Sequence, residues 1–204
     1  MTCGALGFRV HSGWAALVVL SGSSRSPVVL DRRRIELVDS GSPEAKQPYH
    51  AVEGWDVERA AAQLGKWSGR ARALAGQALR AVVSRLRADG CEVIGSGLLL
   101  GSGRLPSNLA AILSSHALIH TADGEHYRYA LRSASERCGV PVTGVRERDL
   151  LAEAAATLRV TPKELTARVL ALGRELGPPW TQDQKQAALV AWVVLSGGKR
   201  RPAR

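Results

Sequence analysis

Residues 56–100 constrain the fold more tightly than any other stretch. Asp56 stands where it can cap a helix, and Leu64, Trp67, Ala71, Leu74, Ala75, Ala78, Leu79, Val82, Val83 and Leu86 then recur at spacings of three and four up to about Ala88. One apolar stripe on so long a helix has to be covered by an extended apolar surface. Gly65, Gly69 and Gly76 weaken the helix and allow it to bend or to pack closely on a sheet. Gly90 ends it, and CEVIGSGLLL (91–100) follows at once as a buried strand. Gly95 and Gly97 mark a close backbone approach within that strand, which the pattern assigns to the long helix.

A helix feeding straight into a buried strand implies strands joined through helices, hence parallel pairing. The N-terminal part demands something else. Residues 7–20, GFRVHSGWAALVVL, read as one central strand, and SGSSRSP (21–27) is a turn-rich connection. VVLDRRRIELVD (28–39) reads as a second strand with Val29, Ile35 and Leu37 on one side and Arg32 and Arg34 on the other, so an antiparallel hairpin is expected. Beyond the buried strand, Ser107 is placed to cap a short helix to about Ser115, and Thr121 to cap the next one, with Asp123 and Glu125 in its first turn. VPVTGV (140–145) is a short strand, 148–158 is helical, TPKE (161–164) opens a further helix, and Thr181 with Gln184 opens a last one after GPPW. The expected fold is an α/β domain over 1–197, a mixed sheet with an antiparallel hairpin, helices on both faces and a helical C-terminal extension. Residues 198–204 read as a disordered basic tail.

Composition bounds the function. Among 204 residues the formal charge is +10, of which Lys199, Arg200, Arg201 and Arg204 of the tail supply four. The remainder favours nucleic acid or another polyanion as partner. Cys3, Cys91 and Cys138 have no short-spaced pair, which argues against a disulfide framework and a four-cysteine zinc site and fits a reducing cytoplasm. The apolar run 14–20 is far short of the ~20 residues that span a bilayer, so no membrane association is expected.

The order of elements, with GFRVHSGWAALVV placed as a first strand and DQKQAALVAW as a final helix, resembles the RNase H-like fold and, within it, the RuvC-type resolvases. That resemblance implies two-metal phosphodiester cleavage by an acid early in strand one, acids near the end of the fourth strand and an acid in the last helix. Here strand one offers Arg9 and His11, and the fourth strand ends in Leu99, Leu100 and Gly101. In the last helix Asp183 persists, but one turn on stand Lys185 and Gln186. The resemblance therefore implies the fold and a catalytically degenerate module without a resident cofactor. SGLLLGSGRLPSNL (96–109) is also similar in texture to a segment of the middle domain of archaeal and eukaryotic peptide-chain release factors, without their Gly-Gly-Gln tip.

The residues that could carry chemistry fall into two groups. Arg32, Arg33 and Arg34, and Arg104 in the glycine-rich GSGRLPS segment, are the candidates for contacting phosphate. His116 and His120 are four apart, a spacing that zinc sites use, with Glu125 or His126 available as a third ligand and Asp123 close by. If Thr121 caps a new helix, however, the two histidines do not share a face, and they read as a polar junction hydrogen-bonded to buried backbone groups. The alternative is a divalent-metal-dependent hydrolase or nuclease using His116, His120, Asp123, Glu125 and Asp183. A third reading is a protein-interaction scaffold whose tryptophans mark the contacts.

Overall fold

In the computed structural model, which describes residues 2–197, β1 (Thr2–His11) turns back through Ser12 and Gly13 into β2 (Trp14–Gly22), and β3 (Pro27–Glu36) follows. A short α1 (Pro48–Ala51) leads to α2 (Val57–Ala88), β4 (Cys91–Leu100), α3 (Leu109–Leu113) and α4 (His116–Arg137). The chain ends with β5 (Val142–Arg146), α5 (Leu150–Leu158), α6 (Pro162–Arg174) and α7 (Gln182–Leu195). The five strands form one sheet in the order β3-β2-β1-β4-β5. β1 with β2 and β2 with β3 are antiparallel, whereas β4 pairs in parallel with both β1 and β5. The expected mixed sheet is therefore present, with helices on both faces. The basic tail lies outside the described residues.

Two expectations about the first strands need correction. GFRVHSGWAALVVL is a hairpin, not one strand: His11 pairs with Trp14 across a two-residue turn in which Gly13 has φ +82°, a conformation that favours glycine. In β3 the pairing slips between Val19 and Leu20, opposite Asp31 and Val29. This bulge turns Val29 to the face opposite Ile35 and Leu37, so the simple alternation read from 28–39 does not hold.

Each face of the sheet has its own core. Leu6, Phe8 and Val10 of β1 and Leu17 and Val19 of β2 meet Ala75, Leu79, Val82 and Val83 of α2 and Tyr127, Leu131 and Ala134 of α4. On the other face Val18, Leu20 and Leu99 meet α7, against which α5 and α6 are stacked. Three expected caps hold: Asp56 accepts from the N–H groups of Glu58 and Arg59, Thr161 from that of Glu164, and Thr181 and Gln184 form a capping box, whereas Asn108 and not Ser107 caps α3. The glycines of β4 do serve close packing, but against α7 rather than the long helix. A Cβ on Gly95 would lie 2.9 Å from Val194, and one on Gly97 would lie 2.6 Å from Val190. No helix of the described residues is long and apolar enough to cross a membrane.

Candidate functional site

Gly7 decides what stands at the end of the sheet. A Cβ there would fall 1.9 Å from the carbonyl oxygen of Ala187, so only glycine lets α7 lie directly on β1. With α7 seated there, its first turn is laid over the C-terminal end of β1. Asp183 and Gln186 then meet His11 and Arg9, which follow Gly7 on the same face of β1.

Two linked networks result. Arg9 donates through Nε to Gln186 Oε1 at 2.9 Å and pairs with Glu147 at 3.0 Å, while Gln186 Nε2 donates to the same Glu147 oxygen at 3.3 Å. His11 Nε2 lies 2.7 Å from Asp183 Oδ1. The His11 ring stacks on Trp14 at 4.3 Å with 11° between the planes, and the Arg34 guanidinium carbon sits 4.0 Å from the Trp14 ring centre. Arg34, Ala16 and Arg9 are successive cross-strand partners on one face, which sets the two guanidinium-bearing positions about 10 Å apart at the usual strand spacing. Half-exposed His11, Trp14 and Asp183 thus form a polar and aromatic rim beside Arg9.

This end of the sheet is where the RuvC resemblance places metal-holding acids, and the side chains present do not fit that role. Glu147 and Asp183 are already committed to Arg9, Gln186 and His11. A divalent ion on the Glu147 oxygen would lie within about 5 Å of the guanidinium, and each pair of like unit charges near 4 Å costs roughly 4 kcal/mol at a protein-surface dielectric. β4 leaves the same end with Leu99 and Leu100 and supplies no acid. As paired here, neither Glu147 nor Asp183 is free to act as a metal ligand.

The predicted phosphate-contacting residues separate. Arg32 is turned to the backbone: it donates to the carbonyls of Leu176 and Gly177 at 3.0 Å each, and also to Pro179, clamping the turn before α7. Arg33 points to the opposite face and pairs with Asp31 at 2.8 Å, beside Arg85. Only Arg34 joins the site, stacked on Trp14 and paired with Glu36. Arg104 is exposed on the loop that leaves the same end of β4. Replacing Arg32 with Met is expected to lower unfolding stability by about 1–3 kcal/mol, because the charged donors serve several carbonyls at once. Denaturant midpoints check this, and an unchanged midpoint would show that the clamp contributes nothing.

The histidine stretch is also corrected. α4 begins at His116, and Thr121 lies inside it, its Oγ1 donating back to the Ala117 carbonyl at 3.0 Å. His116 and His120 therefore do share a face. They are exposed, not hydrogen-bonded to buried backbone groups, and their Nε2 atoms are 3.1 Å apart. The structure brings a third ring to them that spacing could not reveal, His50 of α1, with ring centres 5.1 Å from His116 and 4.4 Å from His120. Asp123 is buried behind His50, and Glu125 turns aside to pair with Arg128 at 2.8 Å. His126 is buried elsewhere, near Tyr49 and Tyr127, and takes no part. Of the five tryptophans Trp192 is buried, and Trp14, Trp55, Trp67 and Trp180 are partly exposed.

No protein-family model matches the sequence, and no curated protein matches it by sequence. Among solved structures the chain is similar to Thermus thermophilus RuvC at 13% identity, with a TM-score of 0.57 over 98% of this chain and 99% of that one. It is likewise similar to T. thermophilus RuvC in complex with a Holliday junction substrate at 14% identity, with a TM-score of 0.54 over 96% and 97% of the two chains. At such identity the likeness establishes architecture, and that architecture covers nearly the whole chain: the protein has the RNase H-like fold in its RuvC-type form.

Proposed function

We propose that this protein is a non-cleaving nucleic-acid-binding module that has kept a RuvC-type fold and set a guanidinium where two-metal cleavage would need free carboxylates. The observation that carries the reading is the Arg9–Gln186–Glu147 network at the end of β1. Three further features support binding. The net charge is +10; Arg34 and Arg9 lie in one row on the face that His11 and Trp14 border; and the architecture is shared with a protein solved on a Holliday junction. A phosphate approaching this rim would meet Arg34 first, and then Arg9 if Glu147 yields.

The test uses duplex and four-way-junction DNA with protein lacking residues 198–204, so that the tail cannot supply the affinity. Binding is expected to weaken steeply with salt, with a slope of about −0.9 per phosphate contact on duplex, and Arg34→Ala should reduce that slope by about one contact. No strand scission is expected with Mg²⁺ or Mn²⁺. Loss of all binding on removal of the tail would defeat the folded domain as a binder. Metal-dependent scission that disappears in Glu147→Gln would defeat the non-cleaving half. The rival hydrolase reading at His116 and His120 retains one specific support, the convergence of His50 upon them.

A further inference from the structure

We propose that His50, His116 and His120 form a binding site for a divalent transition-metal ion of the zinc class, with Asp123 holding His50 in its metal-binding tautomer. The site shares no residue with the Arg9 network and does not depend on the nucleic-acid reading.

Geometry is the first argument. One ligand atom from each histidine lies within 4.8 Å of the other two. Two nitrogens each bound to zinc at 2.0–2.1 Å in a tetrahedral arrangement are about 3.3 Å apart. The Nε2 atoms of His116 and His120 are 3.1 Å apart, so this pair stands at ligand separation already. The three ring planes lie at 90°, 63° and 79° to one another, so no two rings are stacked face to face and blocked from a shared ion. Small side-chain rotations bring the third nitrogen in.

The support behind the ligands is the second argument. Asp123 is only 4% exposed, and both its oxygens are spent on α1: Oδ1 accepts the Tyr49 N–H at 2.7 Å and Oδ2 accepts the His50 Nδ1–H at 2.5 Å. That bond fixes Nδ1 as the protonated nitrogen and leaves Nε2 bare, which is the arrangement that metal-ligating histidines adopt with a carboxylate behind them. A buried carboxylate hydrogen-bonded to both Tyr49 and His50 holds the His50 ring in place. On the other ligand, Glu53 lies 3.9 Å from His116 Nδ1, the ring nitrogen not facing His120.

The donor chemistry selects the ion. Three imidazoles suit zinc, copper or nickel, whereas magnesium and calcium require oxygen ligands. His116 and His120 are exposed, so water completes the coordination, and the ion ties α1 to the start of α4 with one open position.

The experiment takes the full chain without a polyhistidine tag, strips it with chelator, and titrates it with Zn²⁺ against a chromophoric competitor; Co²⁺ absorption reports the coordination. One ion per chain is expected. His116→Ala and His120→Ala, both at exposed positions that leave the fold intact by circular dichroism, should each weaken zinc binding by at least 100-fold. Asp123→Asn should weaken it 10–100-fold, as loss of an outer partner does. Sub-stoichiometric zinc in the parent protein, or equal affinity in the parent and the two alanine variants, overturns the site.

Discussion

Gly7→Ala is expected to destabilise the protein by about 3 kcal/mol or more, the upper end of what overpacking costs. The added methyl would sit 1.9 Å from the Ala187 carbonyl oxygen and 2.9 Å from both its carbonyl carbon and the Ala191 Cβ. The nearest two are backbone atoms of a helix, which cannot rotate aside, so α7 as a whole has to lift from β1. At Gly97 a valine meets the Val190 carbonyl oxygen at 2.7 Å as well as its movable side chain, and a loss of about 1–3 kcal/mol is expected there. Gly124→Ala supplies the contrast. Its nearest neighbour is the Arg128 guanidinium at 2.9 Å, a side-chain group that can shift where a helix backbone cannot, and alanine is the better helix former, so that variant should cost far less. Urea denaturation of the three variants checks the order. Equal midpoints for Gly7→Ala and Gly124→Ala would show that α7 does not rest on β1. Because Asp183 and Gln186 ride on α7, the same lift should separate Gln186 from Arg9 and open the network at the end of the sheet.

These glycines also show how far the sequence can be read. The presence of glycine in a buried strand announces a close approach, yet nothing in 91–100 says which helix makes it. The long amphipathic helix is adjacent in sequence and so appears the natural partner. In fact Gly95 and Gly97 lie on the face opposite to the α2 core and receive α7, almost 100 residues later. Strand parity assigns a face, but the pairing of faces with helices is a tertiary property. The β3 bulge makes the same point locally, since one slipped residue sends Val29 to the other core.

The first hairpin was hidden by the shortness of its turn. Ser12 and Gly13 are the whole connection, and apolar residues on both sides make the segment read as continuous. Gly13 was the available signal. Thr121 misled in the opposite direction, because threonine followed by acids is a cap pattern, and inside a helix the same hydroxyl can bond back to the carbonyl four residues earlier. That ambiguity concealed the shared face of His116 and His120. His50 could not have been added to them from the sequence at all, being 66 positions from His116, and the bond between Arg9 and Gln186 spans 177. What was legible was that Arg9 and His11, and no acid, stand at the end of strand one. The structure supplies partners for both residues, Gln186 and Glu147 for Arg9, and Asp183 for His11.

His126 is expected to make the fold acid-sensitive in a specific interval. The ring is buried between Tyr49 and Tyr127, and its Nε2 has no hydrogen-bond partner. Burial therefore lowers its pKa from 6.5 to about 4; the charge of Arg72 acts in the same direction, and the Trp67 carbonyl opposes both. The unfolded chain takes up this proton near pH 6.5, whereas the folded chain resists it until about pH 4. The stabilising effect of keeping the ring neutral is thus complete above pH 6.5 and is lost as pH falls towards 4, amounting to about 3 kcal/mol at 1.36 kcal/mol per unit. Asp123 works in the opposite sense, because burial raises its carboxyl and folding then favours the protonated form. The net slope of the parent protein mixes the two, so the informative quantity is the difference between the parent and His126→Leu. An apolar side chain leaves no unpaired ring nitrogen, and at pH 7 the variant should lie within about 1.5 kcal/mol of the parent. Between pH 6.5 and 4 the parent should lose about 3 kcal/mol more than the variant. Parallel stability curves across that interval would show that His126 is reached by water and takes its proton in the folded state as readily as in the unfolded one.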